Sequence, residues 1–275
     1  MMRLSPVNGP DTIRMTLLLT GIPVILSCCE LLYNHTLYAP GGWLNWKSLK
    51  PCRSLYQKRP LAEKVADNLF RYPAVLFLIA TRLLLAVWMI AAILDRKDPT
   101  IPVILLCCSG LLLHIRNQFS NNGSDQLMNI ILLSASIALL GAGNGQVLIL
   151  SIFFISCQSA LSYATSGFLK LLKPDWRNGI YLAKILSTTS FGNPILKKIL
   201  DAWPFGYRLL SLQLIFLEMA LGVIFFFPLS VCLPLLAIGV LLHASIAFLM
   251  GFNTFFWTFV ATYPCLFFIC QKLHP

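Results

Sequence analysis

Charge is what this chain has least of. Only 11% of its 275 residues are Asp, Glu, Lys or Arg, whereas a soluble domain carries about a quarter because its surface must face water. An exterior this poor in charge is satisfied only where lipid covers most of it, which excludes an ordinary water-soluble domain. Long polar stretches are missing as well, so nothing reads as a separate soluble domain. The cysteines, Cys28, Cys29, Cys52, Cys107, Cys108, Cys157, Cys232, Cys265 and Cys270, contain no paired CxxC. Most sit in apolar runs such as ILLCCSG, where a thiol acts as a small hydrophobe rather than as part of a disulfide or metal framework. Walker A, HExxH and GxSxG sequences and paired metal-ligand spacings are all absent. ATP-driven chemistry and zinc hydrolysis are therefore unsupported.

Acidic residues are the scarcer sign, 10 against 21 basic, for a net charge of +11. In a soluble protein that balance would suggest nucleic acid. Here the basic residues gather in two connections between apolar runs, the usual device by which a membrane protein fixes its orientation, and no nucleic-acid partner is expected.

Apolar sequence is what remains: 57% of residues are hydrophobic and the mean hydropathy is +0.77. Runs of the about 17–25 residues needed to cross a bilayer fall at 13–33, 72–94, 101–116, 126–143, 147–171, 206–226, 229–250 and 252–271. The expected fold class is an all-α polytopic membrane protein, a single domain over 1–275 with a bundle of about eight transmembrane helices and interfacial segments. The first run resembles a signal peptide, and ILSC at Cys28 approaches a lipoprotein cleavage box. Leu26, the thin positive n-region and nearby Glu30 favour a retained helix. Pro102, Pro194, Pro204, Pro228 and Pro264 are read at or just inside helix ends, and Gly141, Gly143 and Gly145 as a tight turn.

The connection 34–71 holds Lys47, Lys50, Arg53, Lys58, Arg59, Lys64 and Arg71, and 172–205 holds Lys173, Arg177, Lys184, Lys197 and Lys198. Eight spans put both, and the turn Arg116–Asp125, on one face. The positive-inside rule assigns that face to the cytoplasm, with both termini outside. Trp43, Trp46, Trp176 and Trp203 are placed at the headgroup level. Residues 180–200, apolar with interspersed lysines, read as one interfacial amphipathic helix.

Ionisable residues at membrane depth are costly and persist where a partner, cavity or reaction holds them. The candidates are Arg82, His114, Arg116, Lys170, Glu218 and His243. Lys170 admits two readings: a general base, since apolar burial disfavours the charged amine, or a lysine near a helix end snorkelling to the headgroups. Glu218 is a proton-handling group or the ion partner of Arg82. His243 is a site residue or a neutral imidazole bonded to a backbone carbonyl. Arg82, always charged, needs an acidic partner or water and reads as structural. Asp125 with Asn121 and Asn122 reads as a helix cap. Asn34-His35-Thr36 and Asn122-Gly123-Ser124 fit a glycosylation triplet that is common by chance.

Several segments taken in order resemble the HTTM family, the membrane domain shared with vitamin K-dependent gamma-carboxylases. They are Arg14 in the first helix, APGGWLNW, RNQFSNNGSDQLMNIILL, LSYATSGFLKLLKPDWRNG at 161–179, and LLHASIAFLMGFNTFFWTFVATYPCLFF at 241–268. The resemblance covers roughly 12–272, and its most telling piece combines a small-residue turn, a lysine three after Gly167 and a DWxxG close. It implies that Lys170 stands where a carboxylase lysine deprotonates vitamin K hydroquinone, and that His243 matches a family histidine. A reduced quinone such as vitamin K hydroquinone is the implied cofactor. In those enzymes oxygenation of the quinol yields the base that abstracts a glutamyl γ-proton, and carbon dioxide captures the carbanion. Carboxylases carry a large extramembrane portion after their helices, which this sequence lacks. In length it is closer to stand-alone bacterial members linked to maturation of secreted toxin peptides such as the sporulation-delaying protein. Carboxylase chemistry is also lumenal, whereas the charge rule puts Lys170 near the cytoplasmic face.

The expectation is therefore a multi-pass protein of a bacterial cytoplasmic membrane, taking part in modification or maturation of a small secreted peptide with a companion protein. It would be a carboxylase-like lyase or oxygenase, or a subunit of such a complex. Lys170 would be the base, with His243 and Glu218 as polar neighbours, and Arg82, His114, Arg116, Asp125 and Trp176 as substrate-contacting or structural polar residues. The alternative is a non-catalytic transporter, immunity or scaffold protein that binds a hydrophobic peptide or quinone.

Overall fold

A computed structural model describes residues 8–52, 60–117, 120–141, 143–203 and 205–274. Arg53, Lys58, Arg59 and Pro204 lie outside the described residues. The helices are α1 Gly9–Tyr33, α2 Trp46–Leu49, α3 Pro60–Phe70, α4 Ala74–Leu94, α5 Thr100–Arg116, α6 Gly123–Leu140 and α7 Gly145–Leu172. They continue with α8 Pro174–Arg177, α9 Ile180–Leu186, α10 Pro194–Asp201, α11 Phe205–Gly222, α12 Leu229–Met250 and α13 Asn253–Leu273. No strand occurs among the described residues.

Runs rich in Leu, Ile, Phe and Ala become helices because a helix satisfies its backbone polar groups internally, which lipid cannot do for it. Seven of the described helices, α1, α4, α6, α7, α11, α12 and α13, are long and apolar enough to cross a membrane. The remaining expected span, α5, is an apolar helix of 17 residues, at the short end of the range. Phe77 on α4, Phe216 on α11 and Phe248 on α12 are 71%, 63% and 89% exposed, as side chains facing lipid are. The architecture is that of an all-α, multi-pass membrane protein.

The sequence sets several boundaries by capping. At α6, Asn122 Oδ1 accepts from the Ser124 and Asp125 amides while Asp125 Oδ2 accepts from the Asn122 amide, a reciprocal cap. Asn144 accepts from the Gln146 amide at the start of α7, just after the turn at Gly143.

Three expectations need correction. Residues 180–200 are two short helices, α9 and α10, because Asn193 caps the second and Pro194 occupies its first turn. Pro264 lies in the interior of α13, as Pro23 does in α1 and Pro234 in α12. Trp46 is buried against Phe70, ring centroids 5.0 Å apart, and donates to Asp67 Oδ1 at 2.7 Å, so it belongs to a packed core rather than to a headgroup belt. Trp43 and Trp203 are exposed.

The described chain falls into two compact units, residues 17–140 and residues 141–275 together with 1–16. In the first, α4 packs on α5, α5 on α6, and α3 on α4. In the second, α11 packs along α7, and α13 packs on both α7 and α12. The eight cysteines with described side chains are free, and the Cys52 side chain lies outside the description.

Candidate intramembrane site

The second unit contains the site. On α7, Ser159, Tyr163, Ser166 and Lys170 recur at intervals of four, three and four residues, which puts four polar side chains on one helical face. That face is where α7 meets α11 and α13.

The α7–α11 contact is close because its residues are small. A Cβ on Gly167 would stand 2.9 Å from the Met219 amide nitrogen, and one on Gly222 would stand 2.7 Å from the Ala164 Cα. The stretch expected as a small-residue turn is therefore helix interior, where small side chains let two backbones approach. The turn follows it: Lys173 ends α7, Pro174 opens α8, and Gly179, at φ +79°, faces the Tyr207–Arg208 backbone of α11 with no room for a side chain. Ser211 Oγ donates to the Trp176 carbonyl across the same contact.

Close approach delivers Glu218 to Lys170. Lys170 Nζ donates to both carboxylate oxygens, at 2.5 and 2.6 Å, and to Ser166 Oγ at 2.7 Å, while Ser166 Oγ donates to Glu218 Oε1 at 3.2 Å. The Trp176 ring lies 5.4 Å from Nζ. The Lys170 ammonium thus turns inward to a carboxylate and an indole face instead of extending freely to headgroups.

His243 of α12 is 3% exposed and stacked on Phe259 of α13, with centroids 4.8 Å apart and planes 19° from parallel. Its Nε2 is 2.6 Å from the Tyr163 hydroxyl, which is 2.9 Å from the Tyr263 hydroxyl. The partner of His243 is thus a phenol, not the backbone carbonyl expected of a structural histidine. Nδ1 is buried without a hydrogen-bond partner among the described residues. A buried polar atom left unpaired costs stability and marks a place where a ligand or water completes the set.

Lys170, Glu218, Ser166, Trp176 and His243 all line one cavity of about 370 Å³. Its remaining walls are leucines and isoleucines of α9 to α12 with Ser245, Met250, Phe252 and Phe255. This volume lies within the about 300–1,000 Å³ usual for small-molecule sites, and the pattern of apolar walls with a few convergent polar groups is the usual one.

The other expected polar residues lie in the first unit with local partners. Arg82, 3% exposed, has no carboxylate ion partner among the described residues: its Nη1 donates to the Leu106 carbonyl at 2.6 Å and Ser109 Oγ at 3.1 Å. Glu218, weighed as its ion partner, is paired with Lys170. Arg116 is fully buried, donating to the carbonyls of Phe70 and Leu44 and to Asn117 Oδ1, with its guanidinium 4.5 Å from the Tyr38 ring centroid. His114 is half-buried, its backbone carbonyl accepting from Asn121 Nδ2 while its Nδ1 has no hydrogen-bond partner among the described residues, and Asp125 serves the α6 cap. Tyr163, Ser166 and Tyr263 were not singled out from sequence. The first two were readable as members of the polar face that ends at Lys170.

No family model matches the chain, and neither a curated protein nor a solved structure is significantly similar to it.

Proposed function

We propose that this membrane protein holds a reduced quinone in the α7–α11–α12 cavity and uses Lys170 and Glu218 as one proton-handling pair in maturation of a secreted peptide. The observation that carries the reading is the Lys170–Glu218 pair on a largely apolar cavity that is also lined by His243, whose Nδ1 has no hydrogen-bond partner among the described residues. Flat apolar walls suit a quinone ring, and a ring hydroxyl or carbonyl suits Nδ1. The resemblance of residues 161–179 and 241–268 to HTTM segments supports the same choice, because both stretches contribute to this cavity.

A reduced quinone supplies, when bound, the oxygen-driven basicity that carboxylase-like chemistry requires. The chain's part is the proton. As an ammonium between two carboxylate oxygens, Lys170 is a donor and has no lone pair to offer. Passing one proton from Nζ to Glu218 would leave a neutral amine and a neutral carboxylic acid, so the exchange creates no net charge in the wall. The neutral Nζ would then be able to accept a hydroxyl proton from a bound quinol, while Ser166 keeps Lys170 and Glu218 in register. His243, held at Nε2 by the Tyr163 hydroxyl, would offer its Nδ1 to a polar atom of a bound ring.

The same closed pair also suits a non-catalytic binder, an immunity or scaffold protein, in which Lys170 stays an ammonium. The deciding experiment is solvent extraction and mass spectrometry of the purified protein, followed by maturation of the cognate peptide by Lys170→Ala. A co-purifying quinone and loss of maturation in folded Lys170→Ala are expected. Intact maturation would overturn the catalytic role, and a retained quinone without chemical change would favour the binder.

A further inference from the structure

The short helices α9 and α10 form one side of the cavity, to which they give Leu182, Ile185, Leu186 and Leu196. They are fastened at two places. Leu186 and Leu200 pack with Tyr207 of α11 in a small buried core. In the connection between them, Phe191 stacks on Phe252 with centroids 4.8 Å apart, and Asn193 Nδ2 donates to the Leu249 carbonyl at 3.4 Å. The outer side of the pair is different. Ile195 and Ile199, one turn apart on α10 beside the inward column of Leu196 and Leu200, are 72% and 59% exposed, and Trp203 follows them, exposed as well. The charge around this column is of one sign. Lys173, Arg177, Lys184, Lys198 and Arg208 are exposed and have no carboxylate partner among the described residues. Asp201 is already neutralised by Lys197 at 2.5 Å, which leaves Asp175 as the other acid between 173 and 208. We propose that this face binds the anionic headgroups of the surrounding phospholipid, and that the contact seats the α9–α10 pair against the cavity.

The composition of the face selects this occupant. An isoleucine column flanked by lysines suits a helix lying in the interface, its apolar edge in the acyl boundary and its ammonium groups at the phosphates. Zwitterionic lipid would cover the isoleucines but leave the excess positive charge without a counterpart. A surface of net negative charge answers both, and the positive-inside rule assigns this stretch to the cytoplasmic leaflet, whose surface potential is negative. A second copy of the chain is a poorer fit, because like faces would bring their unpaired basic side chains together. An acidic soluble partner would meet the lysines and leave the isoleucine column in water. The inference does not depend on what the cavity holds: it concerns what keeps one of its walls in place.

The test places the full chain in nanodiscs of phosphatidylcholine, alone or mixed with phosphatidylglycerol, and follows hydrogen exchange in residues 187–201 by mass spectrometry. Exchange there is expected to slow about tenfold in the anionic discs. The gain should disappear in salt high enough to screen surface charge, and in Lys184→Gln combined with Lys198→Gln. Both of those side chains are exposed, so the double variant keeps its fold. Residues 249–253, tied to the pair through Leu249 and Phe252, are expected to slow together with it. Equal exchange in the two lipids, or a gain that survives the double variant, would overturn the anionic-lipid site. A gain confined to 187–201 would overturn the seating of the cavity wall. Slowing that requires two copies in one disc would assign the face to self-association and overturn the proposal.

Discussion

Lys170 Nζ lies 2.5 Å from one oxygen of Glu218 and 2.6 Å from the other, joining two membrane-spanning helices through a charge pair. The side chains are only 16% and 11% exposed. Two charges taken out of water gain little net stability from each other, yet either one left alone is expensive.

Lys170→Met and Glu218→Gln should therefore each lower stability by about 3–5 kcal/mol, while Lys170→Met combined with Glu218→Leu should return most of it. Thermal unfolding in one detergent checks this. Additive losses in the double variant would mean that the pair is not a closed electrostatic unit.

Apolar length made the membrane helices readable, because lipid demands continuous runs; Gly145–Leu172 and Leu229–Met250 match the expected 147–171 and 229–250 within two residues. The partner of Glu218 was not readable, since it depends on Gly167 and Gly222 letting α7 and α11 approach, a relation between distant segments. Helix α3 escaped notice for another reason: with Glu63, Lys64 and Asp67 in 11 residues it is amphipathic and too short to resemble a span. Trp46 looked interfacial because composition alone cannot reveal a carboxylate partner such as Asp67, 21 residues further along the chain.

Arg116 should behave as a latch. Its Nε and Nη2 donate to the Phe70 and Leu44 carbonyls at 3.1 and 2.8 Å, fastening the end of α3 and the 34–45 connection to α5. Arg116→Lys keeps the charge but loses the planar fork. A loss of about 1–3 kcal/mol is expected from the carbonyls left unpaired. Limited proteolysis should then cut first within residues 34–45; unchanged protection there would refute the latch.

The α2–α3 contact should weaken in acid. Lys50 Nζ and the Trp46 indole N–H, each 2.7 Å from a carboxylate oxygen, hold the Asp67 carboxyl below its usual range. An Asp with a depressed folded pKa stabilises above its unfolded value of about 3.9, and that contribution fades as pH falls through the folded value. Trp46 fluorescence, with the remaining tryptophans changed to Phe, should stay constant from neutral pH to about 4 and shift below it. In Asp67→Asn the step should vanish; a step of unchanged size would place the titrating group elsewhere.

Gly110 on α5 should tolerate no side chain while Arg82 is present. A Cβ there would stand 2.6 Å from Arg82 Nη1 and would also press on Asn129 Oδ1, which has no hydrogen-bond partner among the described residues. The guanidinium cannot simply swing aside, because the Leu106 carbonyl and Ser109 hydroxyl hold it in place of a carboxylate. Overpacking of this kind costs about 1–3 kcal/mol, so Gly110→Ala should lower the unfolding temperature measurably. Arg82→Leu should also destabilise by itself, since it removes the donor to Ser109 and Leu106. If the two residues share one space, the double variant Gly110→Ala with Arg82→Leu should be more stable than the sum of the single losses predicts, because the guanidinium that crowds the new methyl is gone and Asn129 Oδ1 alone remains against it. Strict additivity would show that the cost of Gly110→Ala arises somewhere other than at Arg82.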